Sequence, residues 1–452
     1  AQVQGSWRWR VFSIGGAMGM GFGILFYGLP TLSGAIFGSS FTIFPIPFAD
    51  WSDYTKSYLP AVATGLSFDL GNIILGMVMP YFAMVGSFIG LLSTFIMNPI
   101  LYKLHILTSW TPGDKTVEIM FKNYIDLYFS FGIGLSLAIA VIGFMAVFKL
   151  KKKRQQDRDA NPLGSDVPAG RGDIPNRFVV WTYLVSTVIY ILVSGYLINW
   201  HPGVMIVLVF FGFLYTPIIS YVTARLEGIA GQVVEIPYIR ELSFILSGYQ
   251  GVGIWFIPTP MANYGAQTVF YRQAELTGTR FTSLWKSEVY LFPVMIIATI
   301  AFASFIWGLG EIPSSIYPFT QQMWELNAKN AILVMSSTTG EYSQFQEALS
   351  GTKVGVGFGV GMGVFGLLAA FNAPTTLLYG LIRGIGQTTP HMVIPQFLGA
   401  LLGRYYFERR LGLRWREYVP VLSAGFFCGA GLITMFCIGV VFLMKSSNHL
   451  PY

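Results

Sequence analysis

Two cysteines and four histidines are all the soft metal ligands that 452 residues offer. Cys428 and Cys437 stand nine residues apart in one apolar run, and His105, His201, His391 and His449 are scattered along the chain. That spacing argues against a disulfide framework and against a metal centre, and leaves the cysteines as helix-packing residues. Charge is equally scarce: Asp, Glu, Lys and Arg make up 11% of the chain, against ~25% in soluble domains. No GxxxxGKS/T, HExxH or GxSxG occurs, so a phosphate-binding loop, a zinc-peptidase helix and a hydrolase elbow are all missing. No cofactor is expected, and nothing in the chain would power primary transport by nucleotide hydrolysis.

What the sequence has is apolar length. Hydrophobic residues reach 54%, mean hydropathy is +0.58, and 51 glycines suit helices that approach closely where lipid gives no hydrophobic drive. The tract LSFDLGNIILGMVMPYFAMVGSFIGLLSTFIMNPIL, Leu66 to Leu101, carries one charge, Asp69, and is interrupted at Met79-Pro80. At ~1.5 Å per residue it is too long for one crossing of a ~30 Å hydrocarbon core. It is expected to turn near Pro80.

Apolar runs between polar breaks predict an all-α polytopic integral membrane protein with about nine transmembrane helices, near 11–37, 61–79, 81–102, 124–148, 178–198, 203–224, 289–308, 355–382 and 419–444. Two further pieces, 242–265 and 391–403, are short or interrupted by Gly and Pro and read as re-entrant or broken segments. Lys and Arg concentrate in 149–177 (eight), 225–286 (five) and 383–416 (six), which the positive-inside rule places in the cytoplasm. The net charge of +7 is thus a topology signal spread over loops, and no nucleic-acid partner is implied. The organisation expected is a first helical bundle (1–148), a basic cytoplasmic linker (149–177) and a second bundle (178–452) with an outside loop at 309–354. The opening AQVQGSWRWR has neither Met nor a signal-peptide pattern, so the chain is expected to be a piece of a longer protein. A plasma or inner membrane is the expected location.

Few polar side chains stand inside this apolar background, and those are the candidates for function. Asp69, with Asn72 one turn on, is read either as a proton-coupling carboxylate or as a solvated helix-end residue. Glu288 and His391 are the other candidate proton-coupling residues, each with a plainer reading as a salt-bridge partner or a hydrogen-bonded helix-end residue. The stretch 248–278 mixes Gly and Pro with Tyr249, Gln250, Trp255, Asn263, Gln267 and Tyr271, and Asn372 stands at a later break. Broken backbone at membrane depth is tolerated where it lines a cavity, so these seven are the candidate substrate-binding residues, with an interfacial aromatic belt as the alternative for its Tyr and Trp. In GVGFGVGMGVFG, 355–366, Gly355, Gly359 and Gly363 share one helix face and are expected to pack closely against a neighbour.

Four segments in order resemble the second half of oligopeptide transporter family proteins, which include the yellow-stripe-like metal-chelate transporters. They are the Leu66–Leu101 tract, TPIISYVTARLEG, ANYGAQTVFYRQAELTGTRFTSLWKSEVY, and TTPHMVIPQFLGALLGRYYFERR before a final span. The sequence departs from the family pattern at Glu227, which follows Leu226 directly, and around Tyr271-Arg272, where the family has Asp. The resemblance implies a secondary transporter for small peptides or metal chelates, driven by protons and working by alternating access. The competing classes are a channel, for which no filter signature is present, and a membrane-embedded enzyme or assembly factor, for which no convergent acid, base or thiol cluster is visible.

Overall fold

The computed structural model describes residues 2–158, 172, 174–230, 238–308, 310–312, 321–340, 347–371, 373–385 and 390–448. Eight helical tracts among them are long and apolar enough to cross a bilayer: Trp7–Phe37, Tyr81–Lys103, Thr116–Gly143, Asn176–Leu197, Pro202–Arg225, Phe281–Trp307, Gly351–Ala370 and His391–Met444. The last covers 54 residues and is composite, two long helices linked by a π-helical turn, a four-residue helix and a 3-10 turn. The protein is an all-α polytopic membrane protein, and among the described residues its one sheet is a two-residue antiparallel ladder, β1 (Ala49–Asp50) on β2 (Gly65–Leu66), pairing Ala49 with Leu66 and Asp50 with Gly65.

The chain divides into two compact units. The first comprises Ala1–Phe129, Ser304–Asn330 and Gly363–Tyr452. Its helices are α1 (Gln2–Gly23), α2 (Leu29–Phe37), α3 (Ser52–Thr55), α4 (Leu70–Val78), α5 (Tyr81–Lys103) and α6 (Thr116–Asn123) in the early part of the chain. Those of the second unit, Ser130–Ala303 with Ala331–Met362, are α7 (Phe129–Arg158), α8 (Asn176–Leu197), α9 (Pro202–Val209), α10 (Thr216–Ala230), α11 (Ile239–Leu246), α12 (Gln267–Leu276) and α13 (Phe281–Trp307). After α14 (Gln321–Met335) and α15 (Gly351–Ala370), the first unit resumes with α16 (Thr375–Gly384), α17 (Pro390–Leu401), α18 (Glu408–Leu411) and α19 (Trp415–Asn448).

Within the first unit glycine sets three helix contacts. A Cβ at Gly15 or Gly19 of α1 would strike the Leu422 or Phe426 carbonyl of α19, and one at Gly425 or Gly429 would strike Phe12 or Gly16. The contacts advance together along both helices, so α1 and α19 run parallel. Likewise Gly86 and Gly90 of α5 meet α16 at Leu377 and Leu381, while Gly380 and Gly384 meet Ala83 and Ser87. Between α4 and α17, Gly399 meets Ile73 and Gly403, just past the end of α17, meets Met77, with Gly76 on Gln396, so that pair is parallel as well. Backbone approach of this kind replaces hydrophobic burial as the packing drive in lipid.

Two tracts differ from the sequence reading. Residues 61–79 do not form a span: the helix begins only at Leu70, capped by Asp69, and ends after nine residues because Pro80 drives Met79 into the extended region (φ −67°, ψ 151°). Residues 355–382 break likewise ahead of Pro374, which opens α16, so the expected single helix is two.

In the second unit α7 and α15 pack through Gly357 on Phe131, Gly134 on Val354 and Gly361 on Ala138. The glycine face named from sequence is therefore displaced by two residues. Gly355, Gly359 and Gly363 are exposed with nothing near a Cβ position; two glycine faces have the same spacing, and the positions of Phe131 and Ala138 select the other. Helix α7 continues through the basic run to Arg158, where Lys, Arg and Gln are good helix formers. Helix α13 has no buried residue along its length, the surface expected of an apolar helix facing lipid all round.

Candidate functional site

In the first unit the polar candidates gather where the strands meet the heads of α4 and α17. Asp69 has extended backbone (φ −69°, ψ 113°), and its carboxylate accepts the Gly71 N–H at 2.8 Å, so it is the N-cap of α4. Its second oxygen accepts the Tyr27 hydroxyl at 3.1 Å. Tyr27 lies in a π-helical turn, Ile24–Gly28, inside the first span, a distortion often found at functional positions. The half-buried Asp69 thus sits in the partly positive field of a helix N-terminus with a phenol against it. Asn72 does not reach the carboxylate; its side chain donates to the Ser67 hydroxyl at 3.3 Å, which also accepts the Asp69 N–H at 3.4 Å.

Ser67 ties this group to His391, because its N–H donates to the His391 carbonyl at 2.9 Å. The His391 side chain is 1% exposed and its ring stacks on Phe48 with centroids 4.1 Å apart. Its Nδ1 is buried with no hydrogen-bond partner among the described residues, and Asp50 is within electrostatic reach of the ring. Asp50 accepts the Ser52 N–H at 2.9 Å, the Thr116 N–H at 2.8 Å and the Thr116 hydroxyl at 2.7 Å. Partial burial pushes its carboxyl upward, but these three donors outweigh that and hold it below the ordinary carboxylate value. Sequence reasoning missed Asp50; its only signal was an acid in the aromatic-flanked ADWSDY loop.

The second unit holds Tyr249, Gln250, Trp255, Asn263, Gln267 and Tyr271 in and beside one broken stretch, with Glu288 on α13. Non-helical backbone from Pro258 to Asn263, followed by a 3-10 turn at Tyr264–Ala266, would leave polar groups unsatisfied, and hydroxyls from neighbouring helices supply the partners. Ser194 of α8 donates to the Pro258 carbonyl, and Thr216 of α10 to that of Pro260 at 2.9 Å. Ser220 accepts the Tyr264 N–H at 3.0 Å, and Thr223 accepts from the Asn263 amide at 2.9 Å. The spacing of 216, 220 and 223 puts these three hydroxyls on one face of α10, a signal present in the sequence and not used above. Gly265 lies against α10 so closely that a Cβ would fall 2.5 Å from the Ser220 backbone carbonyl oxygen.

Trp255 is buried among Ile191, Val204, Leu208 and Phe244, with its indole N–H donating to the Thr338 hydroxyl at 2.7 Å. The Arg240 guanidinium lies 5.9 Å from the Trp255 ring and 5.7 Å from the Phe244 ring. Tyr249 packs against the same cluster and meets His201 edge-on at 5.4 Å, whereas Gln250 is exposed beside Gly340. Gln267 is exposed on α12, and Tyr271 is half-buried against Phe281. Burial raises the Tyr271 phenol, and the nearby Glu288 carboxylate raises it further. Glu288 itself is exposed on α13. Asn372 lies outside the described residues. No group of three or more His, Cys, Asp or Glu among the described residues is placed to hold a metal ion.

The chain matches the family model described as OPT oligopeptide transporter protein over residues 4–441. It belongs to that family. No curated protein and no solved structure matches it. Membership of the OPT family makes the protein a transporter of oligopeptides or similarly small substrates. With eight apolar helical tracts, it is a multi-pass integral membrane protein.

Proposed function

We propose that this OPT protein is a proton-coupled secondary transporter that moves small peptides or metal chelates by alternating access. The observation that carries the reading is the Asp69 group: a carboxylate heading a nine-residue helix in a broken apolar tract, met by Tyr27 and joined through Ser67 to buried His391. Ionisable groups set within apolar tracts of a membrane protein are costly and are often kept for ion or proton pathways. Protonation of Asp69 would turn one carboxylate oxygen into a donor and remove the charge that strengthens both acceptances; proton placement on the Oδ2 side would cost the Tyr27 contact, loosening the first span against α4. His391, with Asp50 beside it, is the second proton-bearing group in this reading. Glu288, against Tyr271, would serve the other unit.

Gln250, Gln267 and Tyr271 are assigned to the substrate side because they present polar atoms from the broken stretch without being consumed in packing. Tyr249, Trp255 and Asn263 hold that stretch in shape, and Asn372 is kept as a candidate from sequence. Uptake into proteoliposomes tests the proposal, using an imposed pH gradient, a panel of short peptides and metal chelates, and the variant Asp69→Asn. Gradient-dependent uptake that the variant loses supports it. Uptake that is indifferent to the gradient and to a protonophore would exclude proton coupling while leaving the family's transport role intact.

A further inference from the structure

The arginines that follow the C-terminal end of α17 line a cleft separate from the Asp69 group. A π-helical turn, Leu402–Phe407, reorients the chain there, and a cleft of about 480 Å³ opens between Phe82, Arg404, Tyr405, Glu408, Arg409 and Arg416. That volume lies in the ~300–1,000 Å³ range of small-ligand sites. Three guanidiniums face one carboxylate, and Glu408 is already committed to Arg416, whose Nε and a terminal nitrogen donate to its Oε1 at 3.1 and 2.9 Å. Arg404 and Arg409 make no ion pair among the described residues.

Aromatic rings hold these two arginines in place. The Arg404 guanidinium lies 4.2 Å from the Tyr81 ring centroid and 5.5 Å from that of Phe82, and Arg409 lies 5.5 Å from Tyr405. Tyr81 and Tyr405 are themselves within hydrogen-bond distance at 3.3 Å. A stacked guanidinium keeps its edge N–H donors free, which suits bidentate capture of a tetrahedral oxyanion. The surroundings match a membrane surface: the turn into α19 exposes Leu411 (44%) and Leu413 (76%) between Arg410 and Arg414. Aliphatic side chains alternating with arginines, beside Tyr405 and Tyr406, form the pattern of chain lying at the headgroup level.

We infer that this cleft binds the phosphate of an anionic phospholipid headgroup, with Arg404 and Arg409 as the two donors. Purified full-length protein is titrated in mixed micelles with dioleoylphosphatidylglycerol, dioleoylphosphatidylcholine or inorganic phosphate, and the thermal unfolding midpoint is recorded. Phosphatidylglycerol alone should stabilise, and Arg404→Gln or Arg409→Gln should each weaken its apparent affinity about fivefold without altering the response to phosphatidylcholine. Equal stabilisation by both lipids, or an unchanged phosphatidylglycerol preference in both variants, would overturn the inference. Protection by inorganic phosphate that matches phosphatidylglycerol would overturn the lipid as occupant. As a check that does not depend on variant folding, a photoactivatable phosphatidylglycerol should crosslink the wild-type chain within residues 402–416, and labelling that avoids this segment would sink the proposal.

Discussion

Asp69 shows how one side chain serves two demands at once. Its carboxylate caps the N-terminus of α4 and at the same time receives the Tyr27 hydroxyl. Removing the phenol tests the second role separately from the first. Tyr27→Phe should leave the cap intact, lower stability by about 1 kcal/mol or less, and shift the pH dependence of uptake, measured in proteoliposomes. Two other acids predict the acid limb of stability. Asp50 and Asp114 are pushed up by burial, yet their hydrogen bonds, with Lys122 added at Asp114, bring both below the ordinary value. A carboxyl held low in the folded state stabilises it above the unfolded value near ~4, and that contribution is lost as pH falls through the lower folded value. Thermal unfolding in detergent should therefore weaken below about pH 4, and Asp50→Asn or Asp114→Asn should flatten that limb. At Trp255 the indole N–H meets a buried threonine, so Trp255→Phe should cost about 1–3 kcal/mol by leaving Thr338 short of a donor, read from the unfolding midpoint.

At the scale of elements, glycine and proline decide where helices meet and stop. Pro80 ends α4 where the sequence already predicts a turn, and Pro374 divides a run that reads from sequence as one helix, since neither supplies an N–H and each disfavours helical geometry in its predecessor. Close contacts then depend on which glycine face a neighbour selects. Gly384→Leu or Gly399→Leu places a side chain where backbone already lies, and should cost about 1–3 kcal/mol or more, seen as lost monodispersity and a lower unfolding midpoint. Gly359→Leu meets open space and should be near neutral in the same assay. The unwound segment from Pro258 to Asn263 was legible as a break from the Gly and Pro around it. That its backbone is satisfied by Ser194, Thr216, Ser220 and Thr223 was not, because hydroxyl partners on other helices leave no local trace.

Across the whole molecule, scarcity of charge and abundance of apolar runs determined the class: a chain with this composition must place most of its length in lipid, where only helices satisfy their own backbone. Broken segments, isolated polar residues and the order of four family-like stretches were likewise readable from the sequence, because each is a local property. The matching of residues across distance was not. No spacing indicates that Asp69 meets Tyr27, that Ser67 joins it to His391, or that Asp50 completes the group, since those residues lie far apart along the chain and converge only through the packing of α4 on α17 and the short β1–β2 ladder. Sequence alone could name the costly residues and the places where helices fail. Tertiary structure decided their partners, because in lipid those partners are chosen by close backbone approach at particular glycines, and periodicity leaves more than one glycine face available.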